Sequence, residues 1–363
     1  MQAETIYDIY YKEEKMMKTL KRLVSLTLTM LLVAGLCAAC AQETVEIHNP
    51  EDVKASSFQS SFSDKPIIDE VFLDEGEFVD IAPEMVPLSS APAVSTVLTP
   101  SAPGTATKKN DKAEIDYSNS KDGYIMIKYL KQTTKPLKVL VTGPSTTRYQ
   151  YNLKSNGSFE VFPLSDGSGD YKIDVCEQVD GGKYAISNTA SIKVTLTDDK
   201  APFLRPNQYV NFKSDSEVVK KAAELVKDKS AFNDKIAAIY SFVVKNFTYD
   251  KELANNVKEG YLPDVDAVLA KKKGICFDYA AVMTAMLRSQ GIPTKLVLGY
   301  AGEVYHAWIS VFSDKEGWIE SVIYFDGKSW KLMDPTFAST GKESAEAMKY
   351  IGDGKNYSAK YLY

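Results

Sequence analysis

Between residues 113 and 197 the chain alternates hydrophobic and polar positions with a period of two. Runs such as "YIMIKYL", "LKVLVTG" and "ASIKVTLT" are rich in β-branched and aromatic residues, and clusters such as "NSKDG" and "SDGSGD" separate them. Short strands divided by regular turn signals are typical of two packed antiparallel sheets. We therefore predict an immunoglobulin-like β-sandwich over residues 111–200.

After Pro202 the period changes to that of helices. Apolar residues recur at helical spacing in "NDKIAAIYSFVVKNF", and strong helix formers run from Cys276 until Gly291 and Pro293 stop them. Strand-like segments follow in "TKLVLGYA", "HAWISVF" and "SWKLMDPT". Helices followed by antiparallel strands predict an α+β fold for residues 201–363.

The first 41 residues have the pattern of a secretory signal. Basic residues precede the apolar run "LVSLTLTMLLVAGLCAA" and a small-residue exit, and the run is short for a membrane span. The exit "CAAC" resembles a bacterial lipoprotein signal, which predicts lipidation of Cys40 and attachment to the membrane, outside the cytoplasm, through a lipid anchor only. Cleavage and release as a secreted protein is the alternative. Residues 42–110 are rich in Pro, Ser and Thr without periodicity, which predicts a disordered linker.

Composition and charge limit the classes of function. The chain has a net charge of −5 and a pI near 5.4, whereas a nucleic-acid-binding protein usually carries a basic face, so we expect no nucleic-acid partner. Two histidines and four scattered cysteines are too few for a structural zinc site. We expect no metal and no cofactor. The oligomeric state stays open.

Three residues could together carry chemistry. Cys276 lies at a helix start, where unpaired N–H groups and the helix dipole favour a thiolate. His306 lies near the start of a strand and shares a face with Trp308, and Asp334 follows a buried row and precedes a proline that favours an extended backbone. Alone, each has a plainer explanation as a buried thiol, a core histidine or a turn-forming aspartate. Taken together they are less ambiguous: a thiol, an imidazole and a carboxylate follow in order on a predicted helix and two predicted strands, with separations of 306 − 276 = 30 and 334 − 306 = 28.

The sequence blocks around these residues resemble a known family. "GICFDYAAVMTAMLRSQGIPTKLVLGY", "HAWISVF" and "WKLMDPTF" are similar to the transglutaminase-like family, itself related to the papain-type cysteine proteases, over roughly residues 205–345. The resemblance implies a papain-like core of helices packed on an antiparallel sheet, with Cys276 as nucleophile, His306 as base and acid, and Asp334 as the orienting carboxylate. Phe277 departs from the family, in which many members carry a polar residue, and this leaves the second oxyanion donor open.

The predicted activity is acyl transfer through a thioester. A protein or peptide amide would acylate the thiolate, and water or an amine would resolve the thioester. We favour hydrolysis slightly over cross-linking. A surface binding or scaffold protein that keeps the fold without turnover is the alternative.

Overall fold

A computed structural model of the chain describes residues 44–46, 97–258, 260–301, 304–320, 324–325, 330–331 and 357–363. Strands in these ranges are β1 (Thr44–Glu46), β2 (Thr107–Lys109), β3 (Ala113–Asp116), β4 (Tyr124–Tyr129), β5 (Leu137–Thr142), β6 (Arg148–Leu153), β7 (Glu160–Pro163), β8 (Gly169–Asp180), β9 (Lys183–Val194), β10 (Thr248–Tyr249), β11 (Lys273–Gly274), β12 (Thr294–Ala301), β13 (Val304–Ser313), β14 (Gly317–Ile319), β15 (Tyr324–Phe325), β16 (Trp330–Lys331) and β17 (Tyr357–Leu362). The α-helices are α1 (Glu217–Val226), α2 (Phe232–Asn246), α3 (Lys251–Asn256), α4 (Val265–Lys271) and α5 (Cys276–Ser289), and short 3-10 helices lie at Ser120–Asp122 and Ala201–Leu204.

The β-rich part, residues 107–194, contains two antiparallel sheets. Strands lie in the order β2-β3-β4-β7 in one sheet, and in the other β9, β8, β5 and β6 are neighbours in that order. Alternate residues of both sheets enter one hydrophobic core, in agreement with the period of two. Examples with no exposed surface are Ile115, Ile125, Ile127, Val139, Phe162, Ile173 and Val175. The immunoglobulin-like type of this arrangement stays a prediction.

The segment just before β3 is more ordered than we expected. We predicted a disordered linker over residues 42–110, but Thr107–Lys109 form strand β2. Ahead of it, the main-chain N–H of Gly104 donates to the Asp116 side chain at 2.7 Å. Hydrogen bonds to polar side chains hold this segment in place. We predicted strands from the alternation of apolar residues, and this pattern does not reveal such hydrogen bonds.

The helical part comprises the described residues from 201 to 363. In it, α5 packs against β12 and β13, and α1, α2 and α4 cover the other sides of α5. Those two strands belong to an antiparallel sheet with the order β14-β13-β12-β17. Every residue of α5 is buried, including Thr284 and Ser289. A helix on a protein surface buries one apolar stripe, whereas α5 is buried all round because neighbours surround it on all sides.

Helix α5 ends where the sequence predicted. Gly291 has a φ of 74°, a left-handed conformation that glycine adopts without steric cost. This turns the chain so that the N–H of Ile292 donates to the carbonyl of Leu287 at 3.1 Å. Such a bond satisfies a carbonyl that the helix leaves without a partner.

The β-rich part and the helical part share one hydrophobic core, and aromatic rings join them. Tyr363 stacks on Tyr209, with ring centroids 3.8 Å apart, and its edge contacts Tyr151 of β6 at 5.8 Å. Tyr149, also on β6, contacts Tyr361 of β17 at 5.7 Å. Together these rings supply a large apolar area with defined geometry between the two parts.

Arg288 is the largest fully buried side chain among the described residues. Its guanidinium donates to three main-chain oxygens, those of Thr294 at 2.9 Å, Arg205 at 2.6 Å and Tyr363 at 2.6 Å. Burial lowers the pKa of Arg288 to about 9. The arginine therefore links α5, the chain before α1 and the residue after β17 at one point inside the protein.

Candidate active site

Cys276 is the first residue of α5 and is 2% exposed. Ile275 before it is extended, with φ −96° and ψ 178°, so the chain turns into the helix at the cysteine itself. The N–H groups of a first helical turn have no partner within the helix, and they favour negative charge nearby.

A buried carboxylate holds the turn that leads into Cys276. One oxygen of Asp278 accepts the main-chain N–H of Ile275 at 2.8 Å, and the other accepts the hydroxyl of Tyr261 at 2.7 Å. Asp278 has no exposed surface. Burial raises the pKa of Asp278 above its ordinary 3.8, although both hydrogen bonds act in the opposite direction. Burial, with the hydrogen bond to Asp278, also raises the pKa of Tyr261.

Main-chain pairing holds the same turn from a second side. Strand β11 pairs in parallel with β10, with Gly274 opposite Tyr249, and the N–H of Asp250 donates to the Gly274 carbonyl at 2.9 Å. There is no room for a side chain at Gly274, because a Cβ there would lie 2.6 Å from the Cβ of Asp278. The two residues before Cys276 are therefore fixed on both sides.

His306 lies in strand β13, opposite Gly299 of β12, and is 6% exposed. Its ring stacks with that of Trp308, with centroids 6.2 Å apart and planes inclined by 21°, which confirms that the two share one strand face. Tyr357 of β17 contacts the histidine ring edge-on at 6.3 Å. The imidazole is thus held between aromatic side chains.

The structure brings two of the three predicted catalytic residues to adjacent elements. Because α5 packs against β13, the helix that begins at Cys276 lies beside the strand that carries His306. Asp334 and Cys40 lie outside the described residues, so their predicted roles stay predictions. Phe277, where the family resemblance implied a polar residue, is 8% exposed and packs against the ring of Tyr209 at 5.8 Å.

Four residues of the site escaped the sequence analysis. Tyr261, Asp278, Gly299 and Tyr357 shape the surroundings of Cys276 and His306. An aspartate at the third position of a helix is a common first-turn residue, and this was the one available signal for Asp278. The other three act through partners distant in sequence, which a local pattern does not reveal.

No metal site is evident in the described part of the chain, where no three His, Cys, Asp or Glu side chains come together in a ligating cluster. The helices in these ranges are too short or too polar to cross a bilayer.

The described residues form an α+β fold in which a cysteine starts a buried helix and a histidine lies on the antiparallel sheet packed against that helix. Comparison with protein families is more specific. Residues 219–321 match the Transglutaminase-like superfamily, and this segment includes both Cys276 and His306. The chain therefore carries a transglutaminase-like domain.

Individual relatives are distant. "Uncharacterized protein YebA" of Bacillus subtilis (strain 168) is 25% identical over 200 residues, which cover 46% of this chain. The match spans about a quarter (26%) of the length of that relative.

Among solved structures, the periplasmic domain of TgpA from Pseudomonas aeruginosa, bound to ethylmercury, is 17% identical with a TM-score of 0.30, over 66% of this chain and 77% of that one. Red sea bream transglutaminase is 15% identical with a TM-score of 0.26, over 59% of this chain and 48% of that one. At such scores neither structure supports a conclusion about this chain.

Proposed function

We propose that this protein is a cysteine enzyme that cleaves or transfers the acyl groups of protein or peptide amides through a thioester on Cys276. The observation that supports this most directly is the packing of the helix that begins at Cys276 against the strand of His306, within the segment that matches the superfamily. In this proposal His306 is the base and acid, and Asp334 orients its imidazole.

The reaction proceeds in two steps, acylation of Cys276 and resolution of the thioester. The thiol of Cys276 gives its proton to His306, and the sulfur attacks the amide carbonyl carbon, forming an S–C bond and a tetrahedral oxyanion. The main-chain N–H of Cys276 is the first donor to that oxyanion. The C–N bond then breaks, the imidazolium gives its proton to the leaving amine or ammonia, and a thioester remains.

The second step decides between hydrolysis and cross-linking. Water or a primary amine loses a proton to His306 and attacks the thioester carbonyl, the C–S bond breaks, and the thiol is restored. We favour water slightly, because an amine acceptor needs a binding site of its own whereas water does not.

Trapping the acyl-enzyme tests the proposal. The full chain is mixed with a library of glutamine-bearing and other peptides, quenched in acid and analysed by peptide mass spectrometry. We expect an acyl adduct on Cys276, lost in Cys276→Ala and kept in Cys176→Ala, which removes a buried cysteine of the β-rich part. An equal signal from wild type and Cys276→Ala would contradict the proposal.

The site's burial gives one reason to keep the scaffold alternative. Cys276 is 2% exposed and His306 6% exposed, so a substrate carbonyl has little direct access in the conformation described. A non-catalytic protein would bind a partner equally well as wild type and as Cys276→Ala, and neither form would acquire an acyl group.

We also propose export with a lipid anchor on Cys40, with release after cleavage as the alternative. The support is the sequence pattern of residues 18–41 alone. Expression in a bacterium with radiolabelled palmitate should label the wild-type chain and leave Cys40→Ser unlabelled. Label in both forms, or in neither, would contradict the lipid anchor.

A further inference from the structure

We propose that Tyr261 and Asp278 form a positioning pair that sets the geometry of the Cys276 nucleophile. This inference rests on the proposed function and adds to it two residues that the Cys, His and Asp set does not include. Neither residue transfers a proton or contacts the substrate carbonyl in this account. Both act through the turn that leads into Cys276.

The pair works because both carboxylate oxygens are engaged by different groups. Tyr261 engages one and Ile275 the other, at 2.7 and 2.8 Å. Asp278 has no exposed surface, and a buried carboxylate is costly unless hydrogen bonds compensate it. If the Tyr261 hydroxyl is removed, one oxygen of the buried Asp278 carboxylate loses its donor, and the carboxylate can lower its energy by rotating towards another donor. The second oxygen, which accepts the Ile275 N–H, then moves as well.

The effect passes to Cys276 over one peptide unit. Ile275 directly precedes the cysteine, and Gly274 lies against the Asp278 side chain, so a moved carboxylate shifts the turn on which Cys276 stands. The ring of Tyr261 also contacts Phe277 edge-on at 6.4 Å, and Phe277 directly follows the cysteine. The pair thus touches the chain on both sides of the nucleophile. A displacement of about 1 Å at a reacting atom can reduce a rate about 100-fold.

A simple helix cap would not need the tyrosine. An aspartate at the third helical position satisfies the preceding N–H by itself, and such caps contribute about 1 kcal/mol of stability. A capping role predicts that Tyr261→Phe changes stability alone. A positioning role predicts a selective loss in reactions that require aligned groups.

The test compares two reactions of Cys276 in the full chain. Acylation by p-nitrophenyl acetate needs an aligned thiolate, base and oxyanion donor, whereas alkylation by iodoacetamide needs a reachable thiolate but no oxyanion donor. The quantity measured is the ratio of the two rates at Cys276, read by mass spectrometry and corrected with Cys276→Ala. We expect this ratio to fall about tenfold or more in Tyr261→Phe.

Tyr171→Phe is the matched control. The Tyr171 hydroxyl is hydrogen-bonded like that of Tyr261, donating to the Gly167 carbonyl at 2.8 Å and accepting the Asp166 N–H at 3.0 Å, but it lies in the β-rich part. We expect a comparable loss of stability in this variant with no change in the ratio. An unchanged ratio in Tyr261→Phe, or an equal fall in both variants, would overturn the proposal.

Amide hydrogen exchange tests the positioning role of Tyr261 and Asp278 even if Cys276 proves not to be a catalytic nucleophile. Should wild-type Cys276 show no acylation above that of an ordinary thiol, the proposed function loses its support, and amide exchange over residues 273–279 then decides the positioning role. We expect this peptide to exchange about tenfold faster in Tyr261→Phe and in Asp278→Asn, and at the wild-type rate in Tyr171→Phe. An exchange rate equal to that of wild type in all three variants would overturn the proposal that Tyr261 and Asp278 position this turn.

Discussion

Gly299 lies directly opposite His306 across strands β12 and β13, and it leaves space that neighbouring groups occupy. A Cβ at Gly299 would lie 2.7 Å from the Trp308 ring and would also collide with the Ser358 carbonyl oxygen of β17. The absence of a side chain at this glycine therefore lets β17 and the tryptophan approach the strand pair that carries the histidine.

We expect Gly299→Ala to destabilise the protein by about 1–3 kcal/mol, because forcing a methyl group into a packed interior displaces its neighbours. Activity should fall as well, since Trp308 stacks on His306. Urea unfolding and acyl-enzyme yield measure the two effects. Gly182→Ala is the control, because nothing lies within 4 Å of a Cβ there and the substitution should change little. Equal stability of the two variants would contradict this account.

Arg288→Met should destabilise the protein by about 2 kcal/mol or more. The variant keeps a long apolar side chain but removes the donor to the carbonyls of Thr294 and Arg205, and each buried unsatisfied acceptor costs about 1–3 kcal/mol. The Tyr363 carbonyl loses one of two donors, because it also accepts the N–H of Leu296. Chemical denaturation measures the loss. Arg148→Met, at an exposed position, should stay within about 0.5 kcal/mol of wild type. A loss below about 1 kcal/mol in Arg288→Met would disagree with the role described.

Lys272→Gly should stabilise the protein by about 0.5–1 kcal/mol. Lys272 has a φ of 50° after the end of α4, a left-handed conformation that favours glycine over residues with a Cβ. Lys271→Gly, one residue earlier in the helix, should destabilise it by about 0.5–1 kcal/mol. Thermal unfolding of both variants checks the opposite signs, and two losses of equal size would refute the prediction.

The stability difference between wild type and Asp278→Asn should depend on pH. Because the folded-state pKa of Asp278 is raised above 3.8, the folded protein holds the proton more tightly than the unfolded chain. The free energy of unfolding contributed by Asp278 is therefore greatest below about pH 3.8 and falls as pH rises through the raised pKa. Asparagine has no such dependence, so urea unfolding should show the wild-type advantage shrinking as pH increases from 4. An advantage that is constant or grows with pH would contradict the sign.

Cys176 should resist thiol reagents in the folded protein. It has no exposed surface, and burial, together with the charge of Asp174, raises the pKa of its thiol to about 12. The thiolate fraction at pH 8 is then on the order of 10⁻⁴. Peptide mapping after iodoacetamide treatment at pH 8 should find Cys176 unmodified in buffer and modified in urea. Rapid labelling in buffer would show that the β-rich part opens locally.

The sequence predicted the elements that carry the candidate site better than their surroundings. The helix Cys276–Ser289 was predictable because its start, composition and stop signals are local, and the shared face of His306 and Trp308 followed from the two-residue period. The catalytic roles rest on the family resemblance, and they remain predictions.

The rest depended on tertiary partners. The bond between Tyr261 and Asp278 joins residues 17 positions apart across a helix, and the contact of Tyr357 with His306 spans about fifty residues. The burial of α5 on all sides also required knowledge of its neighbours, because its polar residues Thr284 and Arg288 are fully buried and no local pattern indicates this. Hydrophobic periodicity shows which side of an element is apolar but does not identify its partners.

The ring of Tyr363 contacts both Tyr151 of the β-rich part and Tyr209 of the helical part, which limits how parts of such a protein can be exchanged between relatives in evolution. A recombination event that replaced one part with that of a distant relative would set mismatched rings against each other. The two parts should therefore be inherited together, and an engineered chimera should assemble only if both sides of this tyrosine contact come from one parent.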